Sequence, residues 1–423
     1  MPTARDLFAL DRRFWIPNLV FLLDGAAYFG ILNLLTLHLG TTLGLGDMLA
    51  GQLVSYMTGA LTLFMAVFGS AVDRVGVRKT MTWTIVAALV GRALLVVVPA
   101  GPLAVPAAIV ALTAIAFGAG LLQTAVYAAV KQATDEATSG VGFSLIYSLM
   151  NLGIVLESLA SSTLRARYGT TGVFAACAAL TAIYLVIHLA LFPSNAGAPV
   201  PALPTEKGDT GARAHPLTDR RFLTFIFALL GVRTLFAHQW LTMPDYVTRC
   251  FPAEVGAKFE WISALNPAII VVGTPLVAVL TARVPVLTMM IVGTSLSAAS
   301  TLLLVGEPNL TLLLTYVVLF SVGEALWSSR FLEYVAQLAP PDQLGTYMGI
   351  ANVPWFLAKF TTGLYSGWML QRYIPPANGA SHQDPATLWA IYAVIALSSP
   401  ALLIVASPWL RERPAAVRAA TTS

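Results

Sequence analysis

"GSAVDRVGVRK", residues Gly69 to Lys79, packs Asp73, Arg74, Arg78 and Lys79 into eleven positions. It closes one apolar run, Met48–Val72, and opens the next, Thr80–Pro99. Each run is long enough to cross a hydrocarbon core of ~30 Å as a helix. A short basic stretch between two such runs reads as a tight loop on the cytoplasmic side of a membrane. Gly69 permits a close helix approach and Gly76 a tight turn, while Asp73 is placed to bond the positive end of a neighbouring helix.

The pattern repeats along the chain. Of 423 residues, 57% are hydrophobic and 10% charged, and the mean hydropathy is +0.77. A soluble chain carries about a quarter charged residues. Twelve apolar runs are expected as spans: Phe14–Gly40, Met48–Val72, Thr80–Pro99, Val105–Lys131, Gly140–Thr163, Thr171–Phe192, Phe222–Thr248, Lys258–Thr281, Pro285–Val305, Leu310–Leu338, Leu344–Leu370 and Ala386–Ser407. With both termini inside, fifteen Lys and Arg fall on inner segments and five on outer loops, which sets the orientation. The N-terminal run is long enough to remain as an anchor, with no cleaved signal expected.

Residues 193–221, "PSNAGAPVPALPTEKGDTGARAHPLTDRR", are polar and rich in Pro, Gly and Ala. They read as a cytoplasmic linker between an N-terminal bundle (1–192) and a C-terminal bundle with its tail (222–423). Two linked sets of six spans suit alternating access around a central site. Gly69, Asp73, Arg74, Gly76, Arg78 and Lys79, at the junction of spans two and three, resemble the loop signature of the major facilitator superfamily. The resemblance implies an all-α fold of twelve transmembrane helices in two six-helix bundles, with this loop as a cytoplasmic gating element. A basic loop that only fixes topology is the plainer reading.

Charges within spans are expensive and tend to face cavities or each other. Here they include Asp24, Arg92, Glu157, Arg233, His238, Glu324, Arg330 and Lys359. Asp24, Glu324 and Lys359 lie near mid-run, where a carboxylate that alternates between neutral and ionised forms can carry protons. A fixed buried ion pair is the alternative for any one of them. Tyr28, Tyr147, Trp240, Trp327 and Trp355 are either pocket lining or packing. Pro244, Pro267 and Pro354 are candidate bends, and Asn151, Asn266 and Asn352 candidate polar contacts.

From Gly323 to Gly349, "GEALWSSRFLEYVAQLAPPDQLGTYMG" resembles the tenth-to-eleventh helix region of the proton-dependent oligopeptide transporter family. "FGAGLLQTA", "GFSLIYSLMNLG" and "FAHQW" resemble its fourth, fifth and seventh helices. That likeness implies a proton-coupled symporter of di/tripeptides or amine-bearing solutes. Its site would draw on Asp24, Tyr28, Gln123, Glu157, Arg233, His238, Gln239, Glu324, Trp327 and Lys359. The first helix departs from the family's Glu-x-x-Glu-Arg-Phe motif: "FLLDGA" keeps only Asp24. Leu32 and Gln123 stand where the family has cations, and Lys359 and Glu157 are additions. The alternative is a proton-antiport exporter of drugs or other amphiphilic or cationic compounds.

Cys177 and Cys250 fit no metal spacing, and no nucleotide loop or nucleophile constellation is present. An enzyme, a cofactor, a metal and a nucleic-acid partner are therefore not expected. The expected partners are a small-molecule substrate, protons and the lipid bilayer of the inner (plasma) membrane, with the chain acting as a monomer.

Overall fold

The computed structural model describes residues 11–68, 71–134, 139–193, 216–281, 283–338, 347, 350, 351, 353–376 and 383–411. The side chains at 66, 71, 73, 139–144, 275, 278, 279, 329, 332, 336 and 337 are outside that description. Gly69, Asn352 and the side chain of Asp73 thus lie outside the described residues, as does most of the 193–221 linker.

The described residues form helices and turns. In order these are α1 (Arg12–Leu37), α2 (Gly46–Phe68), α3 (Ala71–Val75), α4 (Val77–Val96), α5 (Ala104–Ala133) and α6 (Ser139–Leu191). Then follow α7 (Arg220–Ala228), α8 (Leu230–Leu241), α9 (Met243–Cys250), α10 (Ala253–Gly256), α11 (Phe259–Leu280), α12 (Val286–Ser300), α13 (Leu310–Leu338), α14 (Val353–Tyr373) and α15 (Pro385–Arg411). Among the described residues, nine helical segments are long and apolar enough to cross a membrane. One of them, Leu145–Leu191, has 47 residues and the length of two crossings. The break within it is Gly169, whose φ of 67° and ψ of −173° interrupt the helix and separate the fifth expected span from the sixth. The eighth and eleventh expected spans correspond to α11 and α14, of 22 and 21 residues.

Local chemistry explains the breaks. Asp11 caps α1 by accepting from the backbone N–H of Arg13, and Asp219 caps α7 by accepting from those of Arg221 and Phe222. The seventh expected span is not one helix. It is interrupted at Leu229 and again at Thr242, with Pro244 in the first turn of α9, where a missing N–H costs little. Pro354 is likewise in the first turn of α14, whereas Pro267 lies inside α11, which runs on through it. Gly76, expected at a tight turn, has φ 90° and ψ 154° between α3 and α4.

Close packing comes from small residues. A Cβ built on Gly91 of α4 would meet the Ile115 backbone N at 2.6 Å, and one on Gly118 of α5 would meet that of Ala88 at 2.6 Å. Several span hydroxyls are satisfied along their own helices: Thr58, Thr294 and Thr361 donate to the carbonyls of Val54, Met290 and Leu357 at 3.1, 2.7 and 2.6 Å. Asn151 does the same, its amide donating to the Tyr147 carbonyl at 2.9 Å.

Two compact units are formed. The first takes the described residues of Met1–Gly208 together with Gln239–Ala268 and Gly363–Arg372. The second takes those of Asp209–His238, Ile269–Thr362 and Tyr373–Ser423.

Candidate functional site

In the first unit, α1 is apolar almost all round and packs against α5 and α6, so a charge on it must find its partner indoors. Asp24 does so. Arg92 of α4 donates through Nη2 to Asp24 Oδ1 at 2.7 Å, and the Tyr184 hydroxyl donates to the same oxygen at 2.8 Å. Arg92 Nη1 donates to Thr181 Oγ1 at 2.6 Å and to the Tyr184 hydroxyl at 2.8 Å. Asp24 is 5% exposed, and Arg92, Tyr184 and Thr181 are fully buried. The geometry is that of a fixed buried ion pair, in which Arg92 Nε alone of the guanidinium nitrogens has no hydrogen-bond partner among the described residues.

The other expected residues of this unit are arranged separately. Gln123 is half-buried and its amide donates to the Tyr127 hydroxyl, 3.0 Å away on the same helix. Tyr28 is half-buried and edge-on to Phe29 at 5.3 Å. Glu157, on α6, has its Oε1 buried with no hydrogen-bond partner among the described residues. That oxygen lies where a Cβ on Gly30 would be only 2.6 Å away, so the missing side chain on α1 is what makes room for it.

Two further charged clusters in this unit stand out beyond the residues expected from sequence. Arg249 donates to both oxygens of Asp47 at 2.6 and 2.7 Å and pairs with Asp245 at 2.6 Å. Arg165 forms a two-pronged pair with Glu260 and donates to the Gly256 carbonyl at 2.9 Å. The sequence signal for them is that Asp245 and Glu260 are carboxylates inside expected spans. Beside them, burial pushes the Cys250 thiol up to about 12, with Arg249 pulling it the other way. In the same unit Gln239 belongs to α8 and is half-buried.

Around the basic loop, Arg74 and Lys79 are exposed. Arg78 is half-buried and donates to the Leu189 carbonyl at 3.2 Å, in the last turn of α6, where a cation suits the helix dipole.

The second unit holds the other expected residues. On α13, Phe320, Glu324, Trp327 and Phe331 share one face by their helical spacing. Phe236 of α8 lies 5.0 Å from the Phe320 ring and 5.8 Å from Trp327, so its ring contacts bracket Glu324. It also meets Trp355 of α14 at 5.0 Å. Glu324 is 6% exposed. Arg233, three residues before Phe236, stacks over Phe331 at 4.3 Å and reaches Trp355 at 5.4 Å. Lys359, one turn along α14, approaches the same Trp355 ring at 5.3 Å. His238 is buried and stacked on Tyr392 of α15 at 3.6 Å, away from this face of α8. The unit therefore gathers two cations, one carboxylate and five large aromatic side chains on the facing sides of α8, α13 and α14.

The Major Facilitator Superfamily model matches residues 18–249. An uncharacterized MFS-type transporter of Bacillus subtilis (strain 168), YqjV, is 24% identical over 250 residues, which are 56% of this chain and 59% of that protein. A multidrug resistance protein B homolog of Mycobacterium tuberculosis (strain ATCC 25618 / H37Rv) is 24% identical over 233 residues, 53% of this chain and 40% of that protein. The chain thus spans about half the length of the curated relatives it matches. Among solved structures, peptide transporter POT in complex with sulfate superposes with a TM-score of 0.77 at 17% identity, covering 94% of this chain and 95% of that one. A POT family transporter in complex with 5-aminolevulinic acid gives 0.72 at 16% identity, covering 94% and 96%. These likenesses establish the fold. With the helical architecture and the matched model, they make this multi-pass membrane protein a member of the Major Facilitator Superfamily.

Proposed function

We propose that this chain is a proton-coupled secondary active transporter that moves a small amine-bearing organic solute by alternating access, with Glu324 as the carboxylate that takes either the proton or the solute's amine. The observation that carries the reading is the placement of Glu324. It is nearly buried on a helix face whose neighbours are aromatic, with Arg233 and Lys359 around the same ring cluster. A carboxylate this deep in an apolar span is a functional candidate by default. Asp24, by contrast, is occupied by Arg92 and Tyr184 and serves to hold α1, α4 and α6 together.

The halves divided at 193–221 would rock around this site, both termini facing the cytoplasm of an inner-membrane monomer. Arg74 and Lys79 of the basic loop remain available for contacts in another conformation. No catalytic step is needed. Di- and tripeptides fit the reading because a site with both signs of charge suits a solute carrying both.

A second reading, export of cationic or amphiphilic compounds against protons, is favoured by the name of one sequence relative, a multidrug resistance protein. Uptake into proteoliposomes under an inward proton gradient separates the two, using labelled dialanine and a panel of amines with wild type and Glu324→Gln. Gradient-driven accumulation that is lost in the variant is the expected result. Amine movement that instead drives protons outward would replace it with the export reading. Transport unchanged by the substitution would remove Glu324 from the mechanism.

A further inference from the structure

Arg233 is fully buried, and its charge has no counterion within salt-bridge distance among the described residues. Its Nη1 reaches the Ala351 carbonyl only at 3.4 Å, a long contact. Nε and Nη2 have no hydrogen-bond partner among the described residues. A guanidinium keeps its proton in a protein and cannot escape the cost by becoming neutral. The faces of Phe331 and Trp355 offset part of that cost. They leave the in-plane donors untouched, because a ring stacked on a guanidinium accepts none of its N–H bonds.

A third unsatisfied donor belongs to the same cluster. The indole N–H of Trp327 is buried without an acceptor among the described residues, and its ring is linked through Phe236 to Trp355. Buried donors in native structures are nearly always paired, and these three in one aromatic cluster have no acceptor among the described residues, which leaves a place for one. The α14 side of the cluster is the less buried one. Trp355 and Lys359 are both only half-buried, although Arg233 beyond the indole is sealed.

We propose that Arg233 is an anion-binding site for the carboxylate of an apolar or aromatic solute, with Phe331, Trp355 and Phe236 enclosing the apolar body. A carboxylate fits because its two oxygens match the parallel N–H donors of a guanidinium edge. This deepens the transporter reading and rests on it: Glu324 would take the amine end of the solute and Arg233 the acid end. The C-terminal unit would then hold both ends without the cations missing at Leu32 and Gln123.

The test uses the full chain in lipid nanodiscs with benzoate as probe, which carries the carboxylate and ring but no amine. Benzamide and benzylamine are the controls. Thermal unfolding and tryptophan fluorescence are followed for wild type, Arg233→Gln, Arg233→Lys and Trp355→Phe. Saturable stabilisation by benzoate is expected, with no response to benzamide. It should be lost in Arg233→Gln and weakened about tenfold in half-saturating concentration in Arg233→Lys, which keeps the charge but loses the fork. The fluorescence response should vanish in Trp355→Phe. Without benzoate, Arg233→Gln should be no less stable than wild type, since it removes an uncompensated buried charge.

If Arg233→Gln does not fold, the lysine variant decides. A benzoate response unchanged in Arg233→Lys overturns the site, as does equal stabilisation of wild type by benzoate and benzamide. Benzoate binding without any gradient-driven transport would count against the transporter reading alone. Intact transport with no benzoate effect would count against Arg233 alone.

Discussion

Arg92 donates through Nη2 to Oδ1 of Asp24 at 2.7 Å, joining α4 to α1 with neither side chain reaching the surface. Removing one partner of such a pair leaves a buried charge uncompensated and costs about 3–5 kcal/mol, whereas replacing both with apolar groups of similar volume is often neutral. Asp24→Asn and Arg92→Met should therefore each lower the midpoint of thermal unfolding sharply in detergent. The double variant Asp24→Leu with Arg92→Met should recover most of the loss. If Asp24→Asn left stability untouched and removed only the pH dependence of transport, Asp24 would be a proton carrier rather than a brace.

A smaller, purely conformational effect is expected at Gly76. Its φ of 90° with ψ of 154° falls in a region open essentially to glycine alone. Gly76→Ala should cost about 1–3 kcal/mol of stability. Substrate preference should not change, because the substitution alters the α3–α4 turn and not the buried aromatic cluster. Thermal unfolding and competition uptake on the same preparation check both halves of that statement.

The architecture was readable because apolar runs of membrane length are a strong signal and each sits between polar punctuation, as Gly69–Lys79 does between two of them. Gly76 was readable for the same local reason. Pairing was not. Arg92 and Asp24 are 68 residues apart, and their meeting depends on the rotational setting of two helices, which neither hydropathy nor spacing encodes. That Arg233 meets no counterion among the described residues was hidden too, since it is a property of the packed unit. Asp245 and Glu260 are different: they are charges within apolar runs and so were visible in the sequence.

Those two residues anchor the next expectation. Arg249 clamps α9 to α2 through Asp47 and to its own helix through Asp245, while Arg165 ties the start of α11 to α6 through Glu260. Each cation is shared among acceptors that are themselves buried, so each removal exposes more than one cost. Arg249→Ala and Arg165→Ala should raise amide hydrogen exchange across Met243–Glu260 while leaving α4 and α5 protected. Their combination should exceed either alone, because the two clusters use no common partner. Exchange in this segment equal to wild type in both single variants would show that apolar packing alone holds it.

The final expectation concerns Glu157 and Gly30. The buried Oε1 of Glu157 has no partner among the described residues and occupies the space that a Cβ on Gly30 would need, 2.6 Å from it. Cys177 Sγ stands 2.9 Å from the same point, so a methyl group at Gly30 has no easy exit. Gly30→Ala should cost about 1–3 kcal/mol through overpacking. Glu157→Ala removes an oxygen that lacks a donor but leaves a cavity, so by itself it should change stability little, the two effects being of opposite sign. In the double variant the new methyl enters the vacated space, and much of the Gly30→Ala penalty should disappear. The readout is a double-mutant cycle of unfolding midpoints, whose interaction energy should be about 0.5–3 kcal/mol in the compensating direction. Simple additivity would mean that Glu157 turns away from α1 at no cost, leaving that helix contact without the steric role assigned to it here.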